Sequence, residues 1–168
     1  MLMDNKNTVI DQMSFDIRSA NEGDVEFLFL LVNEDSVRRN SFNSNQISID
    51  EHKQWFIEKL LSKDAMIYIA EINGEPIGQI RLEKKDDEGV LSFSVRSKHQ
   101  FLGIGTKMLQ SIIVLFEERH FDVTYLVGYT KKDNIASQKS FLKAGFCEQI
   151  EMTYNAYWYP IQKTNQTL

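Results

Sequence analysis

The sequence is poor in cysteine, in proline and in long hydrophobic runs: its 168 residues include one cysteine and two prolines. A single cysteine excludes an internal disulfide framework and fits the reducing cytoplasm. No apolar run is long enough to span a bilayer, and the first residues lack the hydrophobic segment of a signal peptide. These absences predict a cytoplasmic protein without a membrane partner.

An excess of positive charge is absent as well. The chain has 24 acidic and 19 basic residues, a formal net charge of −5 and a pI near 5.2, so it has no general attraction for nucleic acid. Its histidines, His52, His99 and His120, are dispersed and show no spacing typical of metal ligands. We therefore expect neither a nucleic-acid partner nor a metal site.

The composition is that of one globular domain. A hydrophobic content of 42% and an aromatic content of 11% are enough for a single core at this length. We predict a flexible N-terminal segment at residues 1–13, one domain at 14–160 and a polar tail at 161–168. The lone Cys147 is expected to be a small buried hydrophobic residue.

The apolar periodicity predicts an α/β order of elements. Residues 34–47 are expected to be irregular, and residues 84–89 to form a turn. Strands are predicted at 14–19, 65–72, 77–83, 90–95, 123–129, 146–148 and 152–158, and helices at 25–32, 50–61, 106–119 and 134–144. This order predicts an α/β sandwich with a mixed sheet.

One loop stands out as an anion site. In the stretch Val95–Met108, a strand runs through a glycine-bearing loop into a helix N-terminus, where backbone N–H groups and the helix dipole favour negative charge. A Rossmann fingerprint needs a third glycine three residues after Gly105, where Met108 stands, and no P-loop motif occurs. The remaining pattern is Gln100-x-x-Gly103-x-Gly105.

This pattern resembles the pyrophosphate loop [Q/R]-x-x-G-x-[G/A] of the GCN5-related N-acetyltransferase (GNAT) superfamily. A second segment, Asn134-x-x-Ser137-x-x-x-Phe141-x-x-x-Gly145-Phe146, is similar to that family's second motif. The resemblance implies the GNAT (acyl-CoA N-acyltransferase) fold. That fold is a three-layer α/β/α sandwich whose mixed, mostly antiparallel sheet is splayed at the fourth and fifth strands, with a bulge at the splay.

The resemblance also implies acetyl-coenzyme A (acetyl-CoA) as cofactor. Its pyrophosphate would lie on the loop amides, and its pantetheine arm along the strand ending at Val95. The implied cofactor-binding residues are Phe93, Val95, Gln100, Phe101, Leu102, Gly103, Ile104, Gly105, Thr106, Asn134, Ser137 and Phe141.

The family's reaction is direct attack of a neutral amine on the thioester in a ternary complex, with an oxyanion near the backbone of Val95. Many members protonate the departing thiolate with a tyrosine where this chain has Phe141. A thiol pKa of about 8.5 lets the thiolate leave without help more readily than an alkoxide could. Tyr129, Ser137, Tyr154 and solvent remain alternative acids.

The acceptor is suggested by a second resemblance. Residues 37–56 and the Gly78–Arg81 strand are similar to a subgroup that acetylates the 4-amino group of a UDP-linked aminodeoxy sugar on the pseudaminic acid route. The implied substrate-binding residues are Arg38, Arg39, Ser41, His52, Gln79 and Arg81. The arginines could hold a diphosphate, and His52 could be a catalytic base or a sugar contact.

Several alternatives stay open. His52 could instead be a satisfied partner of a neighbouring group, and Trp55 and Phe56 are expected to belong to the core rather than to a uracil platform. The acceptor could be a protein N-terminus or a small amine such as a polyamine or antibiotic, and Phe141 also leaves room for a non-catalytic acyl-CoA-binding module. The protein is expected to be a monomer or a homodimer.

Overall fold

One mixed sheet of seven strands organises the part of the chain that the structure describes. The computed structural model describes residues 14–119 and 122–161, so the predicted flexible start and nearly all of the predicted tail lie outside the described residues. The strand order is β1-β2-β3-β4-β5-β7-β6. The strands are β1 Phe15–Ser19, β2 Ala65–Ile72, β3 Glu75–Lys85, β4 Glu88–Val95, β5 Tyr125–Lys131, β6 Cys147–Ile150 and β7 Tyr154–Pro160.

Helices cover both faces of this sheet. The α-helices are α1 Val25–Val32, α2 Asp35–Asn40, α3 Ile49–Leu61, α4 Ile104–Arg119 and α5 Ile135–Lys143. Helices α1 to α3 pack on one face through a small core that includes Leu28, Phe56 and Ile69. Helices α4 and α5 pack on the other face through a larger core. No helix in the described residues is long and apolar enough to cross a membrane.

Local sequence signals explain where the helices begin. Ser48 caps α3, accepts a hydrogen bond from the Glu51 backbone and receives the reciprocal Glu51 contact of a capping box. Asn134 caps α5 by accepting from the backbone of Ser137. After α5, Gly145 has a φ of 95°, the left-handed conformation that suits glycine behind a helix. These three residues therefore set the start of α3 and both ends of α5.

Three local expectations were wrong. The segment 34–47 contains the helix α2, whose Val37 is buried at 9% exposure. The turn within 84–89 is shorter than expected, because β3 ends at Lys85 and β4 begins at Glu88. The turn between them consists of Asp86, which has a φ of 55°, and Asp87. Gly89 lies inside β4, where an added Cβ would meet Leu126 at 2.8 Å. Cys147 is exposed on β6, the edge strand.

The sheet opens between β4 and β5, as expected for the GNAT fold. These strands are parallel, and their pairing joins Glu88–Leu91 to Tyr125–Gly128 and then ends. The last four residues of β4, Ser92–Val95, remain paired only with β3. The pairing of β4 with β3 is regular from Glu88 to Val95. In the described sheet, the register shift lies between Ala70 and Glu71, in the pairing of β2 with β3. The expected bulge there was wrong.

Helix α5 packs against the sheet at the point where β4 and β5 separate. Phe141 is 2% exposed, and its ring stacks on Tyr157 at 5.0 Å and meets Phe93 and Phe146 edge-on. A Cβ at Gly128 would come within 2.1 Å of the end of the Phe141 ring. Glycine at the last paired position of β5 therefore lets α5 approach the sheet at the splay.

The substitution Gly128→Ala tests this packing. The enclosed Phe141 ring cannot retreat, so we expect a loss of about 1–3 kcal/mol of unfolding free energy, as for overpacked cores. Urea denaturation measures it. Gly128→Ala combined with Phe141→Leu should cost less than the sum of the two single changes. Strict additivity would contradict the proposed contact.

Candidate functional site

A cavity of about 950 Å³ lies where β4 and β5 separate. The end of β4, the glycine loop and α5 form one part of its wall, and α2, α3, β3 and the segment 41–47 form the other. It therefore joins the face of the sheet covered by α4 and α5 to the face covered by α2 and α3.

Most of the residues expected at the site line this one cavity. All of the expected cofactor-binding residues do so except Leu102, which packs against the larger core. All of the expected substrate-binding residues do so except Arg39, whose side chain is exposed. Among the expected catalytic residues Tyr154 is outside the wall, although its ring meets the Tyr129 ring at 5.6 Å. Their roles stay predictions.

The glycine loop has the geometry of an anion cradle. Gly103, just before α4, has a φ of 80°, and Phe101 has a φ of 63° with 82% exposure. At Gly105 an added Cβ would meet Phe93 at 2.8 Å and Ser140 at 3.0 Å, so glycine lets the first turn of α4 lie against β4 and α5. Left-handed residues followed by a helix N-terminus direct backbone N–H groups towards an anion.

The backbone of β4 faces the gap beside this loop. The Arg96 N–H donates to the Ile77 carbonyl at 2.8 Å, so Gly78 and Val95 form a non-hydrogen-bonded pair of the antiparallel ladder. The Val95 N–H therefore points away from β3, towards the side from which β5 has departed. The same alternation applies to Phe93. An extended ligand can pair with these two residues as an added strand would.

Hydrogen bonds tie the glycine loop to α2. The Gln100 side-chain amide donates to the Val95 carbonyl and to Ser36 Oγ, each at 3.0 Å. The Ser97 backbone N–H and hydroxyl both donate to the Glu34 carboxylate, at 2.7 and 2.6 Å. Sequence reasoning missed Glu34 and Ser36 because they lie in the segment that was expected to be irregular.

Arg38, on α2, holds the segment 41–47 in place. Its guanidinium donates to the carbonyls of Val32, Asn43 and Asn45 and to Ser41 Oγ. Burial lowers the pKa of Arg38. Because the guanidinium makes four hydrogen bonds to the protein itself, it is held in the outer wall of the cavity.

Arg81 and Trp55 form a platform beside that wall. The Arg81 guanidinium lies over the Trp55 ring at 4.9 Å, and its Nε pairs with Glu83 at 2.7 Å. Burial lowers the pKa of Arg81, and the Glu83 charge opposes the shift. Trp55 was expected to be a core residue, but it is half-buried and lines the cavity, whereas Phe56 is 1% exposed and belongs to the core.

His52 and Gln79 are buried polar residues in the same wall, with exposures of 2% and 6%. The His52 ring packs among Phe29, Trp55 and Phe56. Burial lowers the pKa of His52, and a hydrogen bond with the Val25 backbone opposes that shift. His52 Nε2 and Gln79 Oε1 have no hydrogen-bond partner among the described residues.

The charges around the cavity are mostly positive. Glu51 is the one carboxylate among the described residues of its wall, and it is engaged in capping α3. Four basic residues, Arg38, Arg81, Lys139 and Lys143, line the same space. A chain of net charge −5 thus encloses an electropositive cavity, which favours anionic ligands.

A family model described as "Acetyltransferase (GNAT) domain" matches residues 15–147. The chain belongs to the GNAT acetyltransferase family. It is accordingly an acetyl-CoA-dependent N-acetyltransferase, with acetyl-CoA as its donor. No curated protein matches the chain in sequence.

Solved structures share the fold at low sequence identity. A spermidine N-acetyltransferase from Vibrio cholerae in complex with CoA and spermine is similar with a TM-score of 0.78 at 13% identity, covering 87% of this chain and 95% of that one. The ribosomal L7/L12 α-N-protein acetyltransferase RimL, in complex with CoA, gives 0.76 at 18%, with 88% and 94% covered. Aminoglycoside acetyltransferase AAC(6′)-Ib with CoA gives 0.74 at 18%, with 88% and 95% covered.

The GNAT resemblance leaves the acid that would protonate the thiolate unassigned. Phe141 has no hydroxyl, and the end of its ring meets Gly128 in β5. Tyr129 lines the cavity, but burial and the nearby Glu88 carboxylate raise its pKa, which makes it a weaker acid. Ser137 lies in the wall at the start of α5. Tyr129 and Ser137 remain candidates.

A matched pair of glycine substitutions tests the loop of this acetyltransferase. Gly103 and Gly74 both have left-handed φ values, 80° and 79°, and an alanine side chain at Gly74 would meet open space. Left-handed alanine costs about 1–2 kcal/mol, so both variants should lose some stability. Only Gly103→Ala should weaken acetyl-CoA binding, by about tenfold or more, in a calorimetric titration. Equal acetyl-CoA affinity in both variants would refute the loop assignment.

A second test concerns Arg38. Arg38→Lys keeps the charge but loses the guanidinium fork, so amide hydrogen exchange in residues 41–47 should accelerate. The KM for the amine acceptor should rise several-fold while kcat and acetyl-CoA affinity stay nearly unchanged. Arg18→Lys is the control, because Arg18 is equally engaged, with Asp24 and Glu71, away from the cavity. An unchanged exchange rate at 41–47 would show that Arg38 does not hold this segment.

Proposed function

We propose that this acetyltransferase transfers the acetyl group of acetyl-CoA to the 4-amino group of a UDP-linked aminodeoxy sugar. The observation that carries the proposal is the platform of Arg81 on Trp55, in a cavity whose described wall has four basic residues and one carboxylate. An acceptor with a diphosphate complements this charge, and a cationic acceptor does not.

The donor half of the cavity fits acetyl-CoA. The pyrophosphate would lie on the backbone N–H groups that follow Gly103, and the pantetheine arm in the gap along Phe93 and Val95. Lys139 and Lys143 line the cavity on this side and would add positive charge near the phosphates. The thioester would then lie near the Val95 N–H, which can stabilise the oxyanion of the addition step.

The spacing of Gln79 and Arg81 would suit a sugar linked to a diphosphate. Gln79 and Arg81 lie two residues apart on β3 and share a face, which separates them by about 6 to 7 Å. This distance is comparable to that across a pyranose ring, from its 4-amino group to the phosphate on C1. An amine beside Gln79 would therefore place that phosphate beside Arg81, which can bind it with charge-assisted hydrogen bonds.

The Trp55 ring and the segment 41–47 would accommodate the rest of the acceptor. The Arg81 guanidinium already uses one face of the Trp55 ring. Phe42 is 61% exposed at the cavity wall, so it offers a second aromatic surface for a uracil or sugar ring. Because Arg38 holds this segment through carbonyl contacts, its contribution to the acceptor would be indirect.

Cationic amines form the competing class of acceptor. The names of the three structures described above give spermidine, a ribosomal protein and aminoglycosides as their targets. At their low sequence identity, the similarity to this chain shows a shared fold and no shared acceptor. A site for such amines needs carboxylates, and Glu51 alone among the described wall residues supplies one. The electrostatics therefore favour the nucleotide-linked sugar.

Turnover with a panel of acceptors tests the proposal. Acetyl-CoA consumption should be fastest with a UDP-linked 4-amino-4-deoxy sugar and slow with spermidine, kanamycin or a peptide N-terminus. Arg81→Gln should raise the KM for the UDP-sugar by about 10-fold or more, since a hydrogen bond to a charged group contributes about 1.5–3 kcal/mol. Lys84→Gln is the control, because it removes the same charge from the next basic residue of β3, which pairs with Asp122. Faster turnover of spermidine would overturn the acceptor assignment, and no turnover of any amine would overturn the enzyme's proposed reaction.

A further inference from the structure

Four buried polar side-chain atoms of the cavity wall have no hydrogen-bond partner among the described residues: His52 Nε2, Gln79 Oε1, His99 Nδ1 and Thr130 Oγ1. Of these, His52 Nε2 and Gln79 Oε1 belong to α3 and β3, which pack together. A buried polar atom without a partner costs about 1–3 kcal/mol, so this pair indicates a ligand with donors. An ammonium group has three N–H donors and satisfies both atoms at once.

Contacts between α3 and β3 place these atoms at the same level. Lys59 of α3 pairs with Glu83 of β3, and one turn earlier Trp55 lies under Arg81. By the same spacing, one further turn of α3 and two residues of β3, we expect His52 opposite Gln79, and both side chains line the cavity. In the next strand Gln79 is paired with Ser94, the neighbour of Val95. The two atoms therefore lie beside the end of the gap between β4 and β5.

The partners of His52 determine which of its ring nitrogens can accept a proton. The Val25 backbone partner favours the charged imidazole, so it is a carbonyl that accepts from the ring. Since Nε2 has no partner, the N–H at this carbonyl is on Nδ1, and the neutral ring carries its lone pair on Nε2. This tautomer is the one that a general base needs.

We propose that His52 Nε2 and Gln79 Oε1 bind the ammonium form of the acceptor, and that His52 Nε2 removes its proton. This inference rests on the proposed function. The nitrogen lone pair thus released forms the bond to the thioester carbonyl carbon, the carbon–sulfur bond breaks, and its electrons leave on sulfur. The second proton lost by the nitrogen ends on the thiolate, and His52 returns the first proton to solvent. Gln79 is a binding residue in this scheme.

The surrounding charges suit this role. Arg38 from α2, Arg81 from β3 and His99 after β4 line the same cavity, and Glu51 from α3 is the one carboxylate of its described wall. From α1, the packed side chain is the uncharged Phe29. Burial favours the neutral imidazole, which can then accept a proton from a cationic amine.

Three variants test the assignment, with a UDP-linked 4-amino-4-deoxy sugar as the probe. His52→Gln should lower kcat by about 10²- to 10⁴-fold with unchanged acetyl-CoA affinity, and added imidazole should restore part of the activity to His52→Ala. Gln79→Leu should weaken binding of the probe by about tenfold in calorimetry without acetyl-CoA. Gln54→Leu, on the exposed side of α3, is the control and should change neither quantity.

The pH dependence supplies an independent readout. A buried His52 titrates below its ordinary value of about 6.5, so kcat of the wild type should be constant above that pH and fall as the pH drops through the lowered pKa. His52→Gln should lack this acidic limb. In NMR spectra of the wild type, the His52 imidazole should titrate below 6.5 and shift when the probe is added.

The outcomes separate the two proposals. If the wild type acetylates the probe but His52→Gln retains its kcat and its acidic limb, the role of His52 is refuted while the proposed function stands. If the wild type acetylates no amine, both fail. If His52→Gln does not fold, an unshifted imidazole in the wild type together with full probe affinity in Gln79→Leu would refute the subsite.

Discussion

The end of the hydrogen-bonded pairing between β4 and β5 is the constraint on which the site depends. Beyond Leu91 and Gly128 the strands separate, and Phe93 and Val95 are left with backbone groups that face the gap. A paired β5 would satisfy those groups and close the cavity. Phe141 keeps α5 packed against β5 at the point of separation, through a contact that only glycine at 128 permits. Helix α5 therefore packs against the sheet at the point where the strands separate.

The short helix α2 links the two halves of the cavity. At its start, Glu34 and Ser36 receive hydrogen bonds from Ser97 and Gln100 of the glycine loop and the turn before it. Near its end, Arg38 donates hydrogen bonds to carbonyls of the segment 41–47, which forms the opposite wall. One element thus contacts both walls, and the hydrogen bonds of Glu34, Ser36 and Arg38 set their relative position.

The net charge of the chain and the charge of the cavity wall have opposite signs. The chain is acidic overall, yet the described wall of the cavity is basic, and its one carboxylate is used in a helix cap. This arrangement attracts phosphates to the cavity, whereas burial lowers the pKa of His52 and favours its neutral form. The proton transfer that most needs a catalytic group in such a reaction is the removal of a proton from the acceptor ammonium, because the thiolate is a good leaving group without protonation. A chain with Phe141 in place of a tyrosine can therefore function if its base is well placed.

The sequence by itself determined the caps of α3 and α5 and most of the strands, because these depend on residues close together along the chain. The splayed sheet followed from the resemblance of two motifs to the GNAT family. Helix α2, too short and polar for a periodic signal, was missed. Only the tertiary structure decided that Arg38 binds its own loop, that Trp55 supports Arg81, and that His52 and Gln79 are buried together. Gln100 and Ser36, for example, are 64 residues apart and meet only after folding. Which donors a buried polar atom finds, or fails to find, is set by packing between distant segments, and no local pattern in a single sequence encodes it.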